Sequence, residues 1–433
     1  MRTRPDGKVV RPKIIASTAT VRRADKQIQA LFGRTGVDVF PPNGVDQSES
    51  FFATVDSGPG REYLGVAAPG RAVKAILLRV YVSLLGAAER HFDMKGAGDQ
   101  AADPYMTLVG YFNSLRELGG MRRLVEDEVR SRCQKQEDRH PVGFKGPHPW
   151  VANREIKVEP VELTSRESTY AISRAKDLLG RHHTDEQHVD VALASNMISV
   201  GVDIERLGLM VVAGQPKTTS EYIQSSSRVG RDVNRPGLVV TVMNVHRPRD
   251  RSHYERFRTY HESFYRFVEA TSVTPFSGPA IERGLCGTLV ALVRLRTPAL
   301  TPPTAVRLLE AERASTGDEA AKTIADRARR QPQRGDAADA DRLGEAIFGR
   351  CKHLLDTWQR IARKATEGAG ERVYSPYDRE CRNKKALLHT VLEENATEDE
   401  EDFSAATSMR DVEPSVHLWV ERQRLGKKGP RNG

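Results

Sequence analysis

Apolar residues in this chain fall into two alternating kinds of run. Short continuous blocks occur at Lys13–Ser17, Thr107–Phe112, Val158–Leu163, Val189–Ala194, Leu209–Ala213 and Gly237–Asn244. Blocks of this length read as buried strands. Pro160 weakens its block or puts it at a sheet edge, because proline cannot donate to a ladder. Between the blocks the apolar positions recur with helical spacing, over Arg22–Phe32, residues 71–92, Leu115–Gln134, residues 168–180 and Thr219–Val229. Gly33 follows the first of these as a C-cap. Residues 40–62, 94–104 and 137–153 are rich in Pro, Gly, His, Asp and Ser and read as loops. Strands alternating with helices predict an α/β fold built on a parallel, doubly wound sheet.

Past Val245 the period becomes helical, over Arg251–Thr271 and Ala280–Leu295. Three prolines between residues 297 and 304 mark a linker. Residues 312–345 carry few large apolar groups and read as a solvated or disordered helix, whereas Leu343–Ala365 is amphipathic. An acidic run, Glu393–Asp402, and a basic, glycine-containing end at 421–433 read as a charged, mobile tail. No internal repeat is visible.

Composition changes this picture in two ways. The 433 residues suffice for two or three domains. The net charge of +9, from 67 basic and 58 acidic residues, points to a polyanionic partner, nucleic acid first. No apolar run is long enough to span a membrane and the N-terminus has no apolar signal segment, so no membrane partner and a cytoplasmic setting are expected. Cys133, Cys286, Cys351 and Cys381 stand far apart, which speaks against a zinc site or a disulfide framework.

In a parallel sheet, ligands gather at the carboxyl ends of the strands. Here those ends carry Asn113 and Ser114, Thr164 to Arg166, Ser195 and Asn196, and Gln215. Hydroxyls and amides along one rim suit contacts to a sugar-phosphate backbone, although each alone is also an ordinary cap or turn residue. On a helix, Gln224, Arg228 and Arg231 share one face. Two guanidiniums there form a phosphate clamp or, more plainly, a solvated basic stripe. Gly230 between them weakens the helix by roughly 1 kcal/mol, so a close approach to its backbone is expected.

These stretches together resemble the second lobe of superfamily 2 helicases. ALASNMISVGVDIERL (192–207) resembles motif V, and EYIQSSSRVGRD (221–232) resembles motif VI with its Q-x-x-x-R-x-G-R spacing. IIASTAT (14–20) resembles motif III, while LVGYFNSLREL (108–118) and ELTSR (162–166) lie where motif IV and its follower belong. The flanking text GLMVVAGQPKTTSEYIQSSSRVGR, NVHRPRDRSHYERF and FVEATSVTPFSGPAIERGL, and the near-terminal SMRDVEPSVHLW, resemble the large helicase subunit of DISARM-type phage-defence systems.

The resemblance implies a RecA-like sheet (the P-loop NTPase fold) and an ATP-dependent motor acting on DNA, single-stranded in particular. Arg228 and Arg231 would be arginine fingers, and Gln224, Gly201 and Asp203 would serve the nucleotide. Asn113, Thr164, Ser165, Arg166, Ser195 and Asn196 would meet nucleic acid, and Ser17, Thr18, Ala19 and Thr20 would couple hydrolysis to lobe movement. Ser225 and Ser227 depart from the family, where Arg and Gly are frequent. The implied order along the chain is a first-lobe remnant (1–40), a loop and helical inter-lobe segment (41–104), the second RecA-like domain (105–246), a helical extension (247–296), a linker or solvated helix (297–345), and a helical segment with a charged tail (346–433).

The sequence contains no G-x-x-x-x-G-K-[ST] phosphate loop. Asp185-Glu186-Gln187-His188 spells a DExH box but follows motif III with no phosphate loop ahead of it. His182, His183 and His188 beside it read as a solvated polar loop, and no metal site is expected. ATP and Mg2+ would be held mainly by a first lobe this chain lacks, so the chain alone is expected neither to bind ATP tightly nor to hydrolyse it. Three readings stand: a motor lobe from a truncated or split gene, a non-catalytic module binding nucleic acid or a defence-system partner subunit, and a nonfunctional fragment.

Overall fold

In the computed structural model of the chain, the buried apolar runs meet in one six-stranded sheet. The structure describes residues 2–3, 9–10, 12–18, 20–34, 36–42, 45, 49–50, 52–54, 58–95, 101–138, 143, 148, 150–164, 167, 169–195, 203–270, 273–331, 337–364, 372–375, 384–389 and 397–405. Helix α1 (Ala24–Phe32) comes first and ends at Gly33, whose φ of 64° makes it the expected left-handed C-cap. Strand β1 (Glu62–Val66) leads into helix α2 (Val73–Lys95) and strand β2 (Leu108–Phe112). Helix α3 (Leu115–Leu124) follows and continues through one π-turn to Cys133. Then come β3 (Val161–Leu163), α4 (Thr169–Leu179), β4 (Val191–Ala194), β5 (Leu209–Ala213), α5 (Thr219–Ser226) and β6 (Leu238–Val242).

The strands lie in the order β1-β6-β5-β2-β4-β3, and every neighbouring pair is parallel. The doubly wound α/β expectation is met, and β3, which starts right after Pro160, is an edge strand. Alternation along the strands separates two cores. Leu108 and Phe112 join α2 and α3 on one face, whereas Val109 and Tyr111 join α4 and α5 on the other. Gly110 lies between them because Tyr81 of α2 stands where its Cβ would be. Strand β1 was not anticipated. It is an edge strand whose half-exposed residues, Gly65 among them, lack the apolar block that marked the others.

Residues 12–18 form no strand and are exposed, contrary to the reading of Lys13–Ser17. An apolar run becomes a strand only against a neighbour, and no described strand lies beside this one. Past the sheet, α6 (Pro248–Glu255) and α7 (Phe257–Glu262) precede α8 (Gly278–Arg296), α9 (Asp318–Arg329) and α10 (Ala337–Lys364). The last three share their own core with Trp358 fully buried, its indole N–H donating to Val306 O at 2.8 Å. The expectation of a solvated or disordered 312–345 is corrected. Ala320, Ala321, Ile324, Ala325 and Ala328 bury one face of α9, and small side chains there let the helix lie close against its neighbours. Among the described residues no helix is long and apolar enough to cross a membrane.

Candidate nucleotide and nucleic-acid site

Helix α5 begins at the N-cap Thr218, whose hydroxyl accepts from Glu221 N at 3.1 Å. The Glu269 carboxylate adds a second cap, accepting from Thr219 N at 2.8 Å. The helix stops at Ser226, so Arg228 and Arg231 do not continue a helical face with Gln224 as the spacing suggested. Its last turn tightens, with Arg228 N donating to Ser225 O and Val229 N to Ser226 O. The hydroxyls of Ser225, Ser226 and Ser227 all turn back onto helix carbonyls, bonds that compete with regular helix. Ser225 is fully buried, which leaves no room there for the arginine frequent in the family.

Gly230 then reverses the chain with φ of 64°, and its N–H donates to Leu207 O at 2.7 Å. The expected close approach is the backbone of Gly237, which would overlap any Cβ at position 230. Arg61, just before β1, donates from Nε to Val229 O at 2.9 Å and places a cation at the negative end of α5. Arg228 and Arg231 are thus carried on a braced loop, both half-buried.

Arg231 forms an ion pair with Asp203, bringing together two residues singled out in separate motifs. Gln224 donates from Nε2 to Thr20 Oγ1 at 2.8 Å, joining helix α5 to the motif III stretch. Thr20 N donates to Thr18 Oγ1 at 3.2 Å, and Ser17 and Thr18 are exposed. Ala19, Ser165, Arg166, Asn196 and Gly201 lie outside the described residues.

Along the rim, Asn113 donates from Nδ2 to Ala213 O at 3.1 Å and to Gly214 O at 3.4 Å, tying the ends of β2 and β5. Ser114 caps α3 by accepting from Glu117 N. Thr164 and Ser195 are fully buried, and Thr164 Oγ1 donates to Glu162 Oε1 at 2.8 Å. As placed, these two side chains present no surface to a strand. Gln215 is also buried, with its N–H donating to Asp250 Oδ1 and its side-chain amide to Tyr260 Oη.

Asp250 and Glu269 were not foreseen. Asp250 of α6, itself buried, accepts from Gln215 N at 3.2 Å and Asn244 N at 3.0 Å and so joins the ends of β5 and β6. Both act across 30 or more residues of sequence on Gln215 and Thr219, and no local signal announces such a contact.

At the opposite, amino end of β4, ligand atoms of His183, His188 and Asp190 lie within 4.8 Å of one another. This group is half-buried to buried, so the solvated-loop reading of the histidines is corrected. Asp190 is already engaged: Oδ1 accepts from Arg154 Nη2 at 2.7 Å and Oδ2 from Lys157 N at 2.9 Å. Burial alone would raise its pKa, but the His188 hydrogen bond, the Arg154 charge and the Lys157 amide hold it well below the usual carboxylate range. Burial and the Arg154 charge push His183 down to about 4. Arg154 therefore stands where a cation would be drawn. Asp185 of the DExH look-alike is spent locally, accepting from Gln187 N at 2.7 Å and pairing with Arg181.

The parallel sheet and its braced arginine loop coincide with a family match. Residues 162–233 match the helicase conserved C-terminal domain. The chain thus carries a helicase C-terminal domain on a RecA-like parallel sheet. It is a relative of the DISARM protein DrmA of Bacillus paralicheniformis, 39% identical over 416 residues. That alignment takes in 95% of this chain and 35% of DrmA, so the chain spans about a third of its relative's length. Similar solved structures include the Mycobacterium smegmatis helicase Lhr bound to ssDNA and AMP-PNP, at 14% identity and a TM-score of 0.35 over 70% of this chain and 30% of that one. The DUF1998 helicase MrfA bound to DNA gives 13% identity and a TM-score of 0.33 over 57% and 26%.

Proposed function

We propose that this chain is the second motor lobe of an ATP-dependent DNA helicase or translocase of a phage-defence system. Arg228 and Arg231 act as arginine fingers toward a nucleotide and Mg2+ held mainly by a first lobe, and nucleic acid meets the strand-end rim at the half-buried Asn113 and Ser114 rather than at the buried Thr164 and Ser195. One observation carries this reading: a half-buried arginine pair on a loop braced by Arg61, Gly230 and Gly237, with Arg231 held by the motif V aspartate Asp203. Positive charge fixed in advance stabilises developing phosphoryl charge without reorganisation during the reaction. Gln224 on Thr20 supplies the link by which the nucleotide state reaches the motif III stretch. Kinship with DrmA supports the defence setting and a partner subunit from the same system.

Because the sequence has no phosphate loop, the purified chain alone should neither bind ATP tightly nor turn it over. Its affinity for single-stranded DNA should fall steeply with added salt, as phosphate contacts require. The deciding measurement adds a phosphate-loop-bearing lobe of a DrmA relative in trans or by fusion. DNA-stimulated ATP hydrolysis should then appear, and Arg231→Ala should lower kcat by roughly 10³-fold, the scale of a lost arginine finger. ATPase activity of the chain alone that Arg231→Ala abolishes would overturn the reading, as would salt-independent DNA binding.

A further inference from the structure

The back of the sheet carries a feature that nucleotide chemistry does not use. Edge strand β1 pairs with β6 on one side, and no described strand covers its outer edge. Leu64 of β1 is 52% exposed, in contrast to the fully buried strand residues beside it. Between β1 and α2 lies an open groove of about 340 Å³ with a floor of Leu64, Val66, Val80 and Leu84. Arg79 of α2 and Arg71 in the turn just before that helix, both exposed, stand on the wall facing β1. Elsewhere exposed arginines are paired on their own helices, as in Arg251–Glu255 and Arg258–Glu262. Among the described residues Arg71 and Arg79 enter no ion pair.

We propose that this groove docks an extended segment of a partner protein that alternates large apolar residues with aspartate or glutamate. An open strand edge offers main-chain hydrogen bonds to an added strand, and a pocket beside it selects alternate side chains. Apolar floor and cationic wall together select apolar and acidic chemistry, and like charge on the partner is excluded. A basic polynucleotide-binding surface would lack the apolar floor, so the occupant is a peptide rather than DNA. The groove shares no lining residue with the arginine loop, although Arg61, just ahead of β1, braces that loop.

The test pans a random linear-peptide library against the full chain and measures the selected peptides by fluorescence anisotropy. Selected sequences should alternate apolar and acidic residues. Their affinity should fall at least about tenfold for Leu64→Glu and for the Arg71→Glu/Arg79→Glu double variant. The same peptide with lysine in place of its acidic residues should bind the double variant better than the parent. Leu64 is already half exposed, so its replacement spares the core; Ala75→Arg, on the exposed wall of α2, blocks the groove from the other side as a second variant. Peptides without acidic bias, or equal binding to all variants, would sink the proposal. So would displacement of the peptide by an oligonucleotide, or concentration-dependent dimerisation lost in Leu64→Glu, which would give the groove to a second copy.

Discussion

Gly230 concentrates the demands of the candidate site in one residue. Its φ of 64° is a conformation that costs other residues about 1–2 kcal/mol, and the Gly237 backbone fills the place of a Cβ. Gly230→Ala must therefore either push β6 away from the arginine loop or unwind the end of α5. Adding an overpacking cost of typically 1–3 kcal/mol, the expected loss of stability is roughly 2–5 kcal/mol. Urea denaturation followed by far-ultraviolet circular dichroism reads it directly. An unchanged midpoint would mean that the two glycines do not touch in solution. The close approach was legible in the sequence because glycine is a poor choice inside a helical pattern unless something needs the space. That the approaching chain is Gly237, and that α5 already ends at Ser226, was not. Three serines whose hydroxyls return to helix carbonyls shorten the helix, and residue spacing alone does not register such bonds.

Elements announced themselves in proportion to how fully they are buried. Strands β2, β4, β5 and β6 are almost wholly buried on both faces and gave continuous apolar blocks. Strand β1, at an edge and half exposed, gave none. Helix α9 failed the same test for the opposite reason: it is buried through alanines, which carry little hydrophobic signal. Its packing makes a prediction of its own. Ala325 is 1% exposed, so Ala325→Leu forces extra methylenes into a closed helix contact. The expected cost is about 1–3 kcal/mol in denaturant unfolding, with Lys322→Ala on the exposed face of the same helix near neutral. Equal midpoints for the two variants would contradict the close packing of α9 and restore the solvated-helix reading.

At the scale of the molecule, the motif III stretch and α1 are held from two sides. On the sheet side, Gln224 donates to Thr20 Oγ1 and Arg22 Nη1 donates to Val268 O at 3.1 Å. From the helical bundle, Arg327 Nη2 and Gln331 Nε2 both donate to Ala30 O, at 2.7 and 2.9 Å. Ala30 O belongs to the last turn of α1, where carbonyls lack helical partners, and Arg327 also stands against Gly33. A cation and an amide on one terminal carbonyl cap the helix from outside and fix its end to α9. The bundle is thereby a strut for residues 20–33, not an appendage to the sheet. Replacing Arg327 and Gln331 together by alanine should leave the global unfolding midpoint nearly unchanged, because both side chains lie at the surface of the bundle core. Amide hydrogen exchange over residues 22–33 should become faster, since local opening no longer breaks these two bonds. A Gln224→Ala variant should speed exchange near Thr20 while leaving the Ala30 end protected, because the two anchors share no side chain. If the double variant instead lowers the global midpoint with no local change at 22–33, the bundle and α1 unfold as one unit and the strut does not exist.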